Sequence, residues 1–245
     1  MIVVGLMEAA CPIPPEIGAR AEGQRTTDNP ARWALLRHSL PARKGARTAV
    51  SYTDVPALLN NLKADGTIAA LCFQFTILTV ARTKETTSCR WSEVDLTART
   101  RGVQILKGGQ ALQHLIPLSD QAIELLRGLM VDGKPIGEHV FPARNRRGHL
   151  GTSAMLDWLE RLKWSDRTTT HGIRSAFKTW ATERTNYARE VVELCLSHVQ
   201  GDALERAYQR GDIIEKRRQL MQAWADYCET GESANATSNV VALRA

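Results

Sequence analysis

The 245-residue sequence predicts a mainly α-helical domain carrying one small antiparallel β-sheet. Two observations lead there. Apolar side chains recur at i, i+3, i+4 and i+7 through successive segments, the pattern of helices with one buried face. Among them lie two β-prone runs, Val103-Gln104-Ile105-Leu106 and His114-Leu115-Ile116-Pro117, and Gly108-Gly109 between them is a turn signal that folds them into a hairpin.

Taken in order, residues 1–27 resist assignment: Cys11-Pro12-Ile13-Pro14-Pro15 breaks any helix and a polar stretch follows. Residues 28–52 read as a linker, with Arg32, Arg37, Arg43, Lys44 and Arg47 either following a phosphate backbone or only facing water. Asp54 is placed to cap a helix with Pro56 in its first turn and Val55, Leu58, Leu59 and Leu62 on one face. Residues 68–81 form the most apolar run. At 14 residues with Gln74 inside, it falls short of the roughly 20 that a membrane span needs, so it is expected to be a buried core helix delivering Arg82 at its end. A short strand region follows from Trp91 to Leu96, and then the hairpin.

Ser119 opens the next helix, with Ala122, Leu125, Leu126 and Leu129 aligned, and Val140-Phe141-Pro142 is a short extended piece. Residues 143–151, with Arg144, Arg146, Arg147 and His149, make a basic loop that touches a phosphate or faces water. Helices are expected at 152–163, 171–184 and 187–197, and a last helical segment at 202–226 carries Ile213, Leu220, Met221 and Trp224. Residues 229–245 read as a flexible tail.

Thirty-two Lys and Arg against 26 Asp and Glu give a net charge of +6, which permits a polyanionic partner without demanding one. The five cysteines are odd in number and lack paired spacing, so neither a zinc ribbon nor a disulfide framework is indicated; Cys72 and Cys195 read as small core residues. No nucleotide-binding or metalloprotease motif is present, and residues 1–6 lack the basic region of a signal peptide. Reduced thiols and a cytoplasmic location are the plain expectation.

The chemistry centres on Thr170-His171-Gly172-Ile173-Arg174-Ser175. With Thr170 as cap, His171 and Arg174 emerge on one face of a helix's first turn, where free N–H groups favour an anion. Ile173, Phe177, Trp180 and Ala181 bury the other side. Singly, each candidate has an ordinary reading: His-x-x-Arg as a polar surface turn, Arg82 as a helix-end charge, His198 as a surface histidine and Tyr208 as a half-buried aromatic.

Their joint order is less ordinary. Arg82, then His171-x-x-Arg174, then His198, then Tyr208 ten residues on, resembles the tyrosine recombinase (phage integrase) family. Asn29-Pro30-Ala31-Arg32-Trp33, Val140-Phe141-Pro142, Thr170-His171-Gly172 and Arg217-Arg218-Gln219-Leu220-Met221 resemble its satellite-phage and genomic-island members. The resemblance covers roughly residues 28–228. It implies a catalytic domain over 53–228, preceded by a remnant of a core-binding region in 1–27 that is expected to be poorly ordered.

It also implies a reaction: site-specific cleavage and rejoining of double-stranded DNA through a 3′-phosphotyrosyl bond, with no cofactor and no metal. Tyr208 is then the nucleophile, and Arg82 and Arg174 clamp the phosphate oxygens, because a guanidinium matches two oxygens and keeps its charge. His171 moves a proton on the nucleophile side, His198 donates to a non-bridging oxygen, and Glu85 orients Arg82. Lys107 is the one hairpin lysine available as general acid, lying about two residues early, as if the turn carried Ala111-Leu112 in addition. Lys84 replaces a small residue, and Arg101 stands where such members often carry Trp. Two other readings stay open: a truncated DNA-binding remnant without activity, and a type IB topoisomerase. The terminal helix is expected to dock on a neighbouring protomer through Trp224, or else to fold back on its own domain.

Overall fold

The structure is a computed structural model that describes residues 50–107, 110–145, 148–197 and 211–232, all within one compact unit, Arg47–Ala245. The stretches at 1–27 and 28–49, with their basic residues, lie outside the described residues, as do Arg146, Arg147, residues 233–245 and the segment 198–210 that contains His198 and Tyr208.

Ser51 caps a short 3-10 turn that leads into α1 (Val55–Asp65), which buries Val55, Leu58, Leu59 and Leu62. Asp54 occupies the cap position but makes no capping bond; its carboxylate pairs with Arg167 at 3.4 Å instead. After a left-handed Gly66, Thr67 caps α2 (Ile68–Thr79). This helix is apolar all round and has neighbours all round, as such a sequence requires. It packs on α1, α4 (Asp120–Gly128), α5 (Ala154–Arg161) and α8 (Gly211–Thr230). Its polar groups are satisfied internally: Thr76 and Thr79 donate to the carbonyls of Cys72 and Phe75, and Gln74 donates to Leu62 O at 3.0 Å. Cys72, Cys89, Cys195 and Cys228 are buried thiols.

α2 stops at Thr79, two residues before the expected end. Thr79 and Val80 are β-branched and propagate a helix poorly, and Val80 turns into the left-handed region at φ 47°. Arg82 therefore begins the next helix, α3 (Thr83–Thr87).

The sheet is a three-stranded antiparallel meander of β1 (Val94–Asp95), β2 (Thr100–Lys107) and β3 (Gln110–Pro117). Its ladder runs unbroken from Thr100↔Pro117 to Lys107↔Gln110. Ala111 and Leu112 pair with Leu106 and Ile105, so the two additional residues lengthen the strands and not the turn.

Beyond α4, capped by Ser119 as expected, come α5, α6 (Gly172–Arg184) and α7 (Arg189–Cys195). α8 runs to Thr230, two residues into the segment read as a tail, and Lys63 pairs with Glu229 beside it. Trp224 is fully buried, donates its indole N–H to Ile77 O at 2.9 Å, stacks with Tyr227 and packs at a tilt against Trp180. The stripe expected to meet a neighbouring protomer lies against its own domain, the fold-back alternative. Tyr227 closes the cluster by donating to Tyr52 O at 3.3 Å, with the two rings 6.0 Å apart. Among the described residues no helix is long and apolar enough to cross a membrane.

Candidate active site

Arg174 sits in the first turn of α6, on the same buried face as Phe177 and Ala181 and not, as the sequence pattern predicts, on the side opposite that apolar stripe; it is only 4% exposed. Two helices end against it. Its Nη1 donates to Val80 O beyond α2, and its Nη2 donates to Leu196 O beyond α7. Helix C-termini leave carbonyls unpaired and carry partial negative charge, so a guanidinium between two of them satisfies both. Each receiving segment turns left-handed there, at Val80 (φ 47°) and at Ser197 (φ 54°), a conformation that a β-branched residue such as Val80 rarely holds.

Arg82 approaches the same junction from the other side. Its Nη2 donates to Ser197 O at 3.4 Å, the carbonyl next to the one that Arg174 takes. Glu85 fixes it twice, accepting from Arg82 N at 2.9 Å, as the third residue of a capping box does, and from Arg82 Nη1 at 2.7 Å. Two guanidinium groups from positions 92 residues apart in sequence thus meet at the residues just before His198. Burial, and next the charge of Arg82, pull the Arg174 guanidinium down to about 10, which leaves it charged at neutral pH.

His171 is the first residue of this turn and is exposed, whereas Arg174 is buried. Thr170 does not cap the helix. Among the three consecutive threonines it is Thr169 whose hydroxyl accepts from Gly172 N at 3.1 Å, while the hydroxyls of Thr83 and Thr170 hydrogen-bond at 2.8 Å and tie α3 to α6. Lys107 closes β2 at the last rung of the ladder.

Two buried residues beside the arginines were not singled out as site residues. His114 on β3 is 1% exposed; burial first, then the charges of Arg217, Arg82 and Arg174, push its imidazole down to about 3. Arg217 of α8 reaches it, donating to Leu115 O at 2.7 Å with His114 Nε2 at 3.4 Å. A histidine alternating with apolar residues on a strand was the one available sign. Among the described residues there is no cluster of three or more His, Cys, Asp or Glu that could hold a metal ion.

Comparison with known proteins gives the class. The model of the phage integrase family matches residues 50–212, more than half the chain, and the protein belongs to that family. Among curated relatives, the integrase of Shigella phage Sf6 is 33% identical over 154 residues, 62% of this chain and 39% of that protein. The chain therefore spans about two fifths of that relative's length. Among solved structures, the integrase from mycobacterium phage Brujita superposes with a TM-score of 0.56 at 20% identity, over 85% of this chain and 67% of that one. The Tn1549 transposon integrase, solved in complex with circular intermediate DNA, gives 0.54 at 14% identity, over 82% and 75%. At these identities the structural matches speak for the fold: mainly helical, with the small antiparallel sheet.

Proposed function

We propose that this chain is the catalytic part of an integrase that cuts and rejoins double-stranded DNA at specific sites. The carrying observation is the convergence of Arg82 and Arg174 on the adjacent carbonyls of residues 196 and 197. In the reaction Tyr208 Oη attacks the scissile phosphorus and the P–O5′ bond breaks. The 5′-oxygen leaves as a hydroxyl and a 3′-phosphotyrosyl bond forms; attack by another 5′-hydroxyl reverses these steps and rejoins strands. Arg82 and Arg174 stabilise the charge that builds on the non-bridging oxygens. A phenol of pKa about 10 is a weak nucleophile at neutral pH, so His171 accepts its proton. His198 donates to a non-bridging oxygen, and Lys107 protonates the leaving oxygen.

The domain assignment belongs to the same reading, with 53–228 as catalytic domain, 1–27 a core-binding remnant, 28–52 a linker and 229–245 a tail. The site of action is then the bacterial nucleoid. Assembly of several protomers on DNA through the terminal helix would have to use residues of α8 other than the interior Trp224.

A nicked suicide substrate tests the reaction, since loss of the short leaving strand traps the covalent complex. The wild-type chain is expected to form an adduct that Tyr208→Phe does not form while binding DNA equally well. Adduct formation by the Phe variant would falsify Tyr208 as nucleophile. A wild-type chain that binds DNA but forms no adduct is the inactive remnant, and relaxation of plasmid without need of paired sites would indicate a topoisomerase.

A further inference from the structure

Arg101 lies in the middle strand of the sheet, paired with Val94 on one side and Ile116 on the other, and is 1% exposed. A buried arginine is a poor choice for stability alone, because desolvating it costs more than an apolar side chain of similar size would. Arg101 is not even fully satisfied, since its Nη1 is buried without a hydrogen-bond partner among the described residues. Its other nitrogens are committed. Nε and Nη2 donate to Glu93 Oε2 at 3.1 and 2.9 Å, and Nη2 also donates to the main-chain oxygen of Glu85 at 2.5 Å.

Glu85 is thus held at both ends, its carbonyl by Arg101 and its carboxylate by Arg82. α3 is five residues long, too short to hold its own shape in water, so its position depends on such ties. We infer that Arg101, anchored by Glu93, is a positioning residue for Arg82: it fixes the α3 backbone from beneath, so that Glu85 presents the Arg82 guanidinium at one place. The effect on DNA cleavage rests on the integrase reading above; the brace on α3 does not.

Two variants separate the role from general stability. Arg101→Lys keeps the charge and loses the fork; Glu93→Gln keeps the shape and loosens the anchor. Hydrogen exchange on the full chain reads α3 directly, through the amides of Thr86 and Ser88, which donate to Arg82 O and Lys84 O. In both variants these amides should exchange at least ~10-fold faster while those of α2 and α6 do not change. Unchanged exchange in α3, or equal acceleration in all three helices, overturns the proposal.

At saturating DNA, the single-turnover rate of adduct formation should fall on the order of 10- to 100-fold with Kd unchanged, the penalty of a misplaced group. Wild-type rates from variants whose α3 has loosened overturn the positioning role. If α3 loosens as stated and even the wild-type chain forms no adduct, the brace stands and the integrase reading fails.

Discussion

The Arg174 guanidinium donates to the main-chain oxygen of Val80, a β-branched residue held at φ 47°. The strained turn and the buried charge belong together, because the turn brings a helix-end carbonyl to a cation that has little water around it.

Arg174 and Arg82 should consequently differ in their weight for folding. Arg174→Ala leaves the carbonyls of Val80 and Leu196 without donors, at about 1–3 kcal/mol each. Arg82 is 44% exposed, and its pair with Glu85 contributes under about 1 kcal/mol. Urea unfolding is expected to show Arg174→Ala strongly destabilised and Arg82→Ala nearly unchanged, with both failing to form adduct. Equal stabilities would mean that Arg174 does not hold the two helix ends.

His114 makes stability depend on acid. Its folded-state pKa of about 3 lies below the ordinary 6.5, so the unfolded chain binds its proton first. The contribution is complete above about pH 6.5 and is lost as pH falls toward 3, at about 1.4 kcal/mol per pH unit. Unfolding free energies from urea titrations at several pH values should fall more steeply for the wild-type chain than for His114→Gln. Parallel slopes would place the acid sensitivity elsewhere.

Lys107 can be assayed through the leaving group. If it donates the proton, Lys107→Ala slows cleavage of ordinary DNA by roughly 10²- to 10⁴-fold. A substrate with bridging sulfur at the 5′ position leaves as a thiolate and needs no proton, so both proteins should cut it alike. Full-speed cleavage of ordinary DNA by the variant removes Lys107 from the mechanism.

Trp224 belongs to the core. Trp224→Ala is expected to cost about 3–5 kcal/mol, through a cavity and an orphaned Ile77 carbonyl. Truncation after Gly211 should leave no cooperative unfolding transition. A shortened chain that folded normally and lost only assembly would restore a role for the stripe between protomers.

Much of this was legible because hydrophobic period and order along the chain are local properties. The all-apolar run of α2, the Ser119 cap, the Gly-Gly hairpin and the burial of Ile173, Phe177 and Trp180 follow from neighbours within a few residues. What stayed hidden depends on partners far away. Three threonines in a row each offer a cap, and the Thr83 hydroxyl of another helix engages Thr170. A helical stripe ending in Trp224 shows that something covers it, not which surface. Arg101 looks misplaced in a strand until Glu93 and the Glu85 carbonyl are seen around it. The family order of Arg82, His171, Arg174, His198 and Tyr208 was readable from sequence, whereas the buried His114 and Arg217 near Arg82 and Arg174 became visible only in three dimensions.

The contact between Tyr52 and Tyr227 joins residues 175 positions apart, and Lys63–Glu229 lies alongside it. The first and last described segments of the domain therefore lie at one place, fastened there by a few weak ties in a row. Because α8 also carries Trp224 into the core and Arg217 to His114, that seam is continuous with the interior of the domain and with the surroundings of its paired arginines.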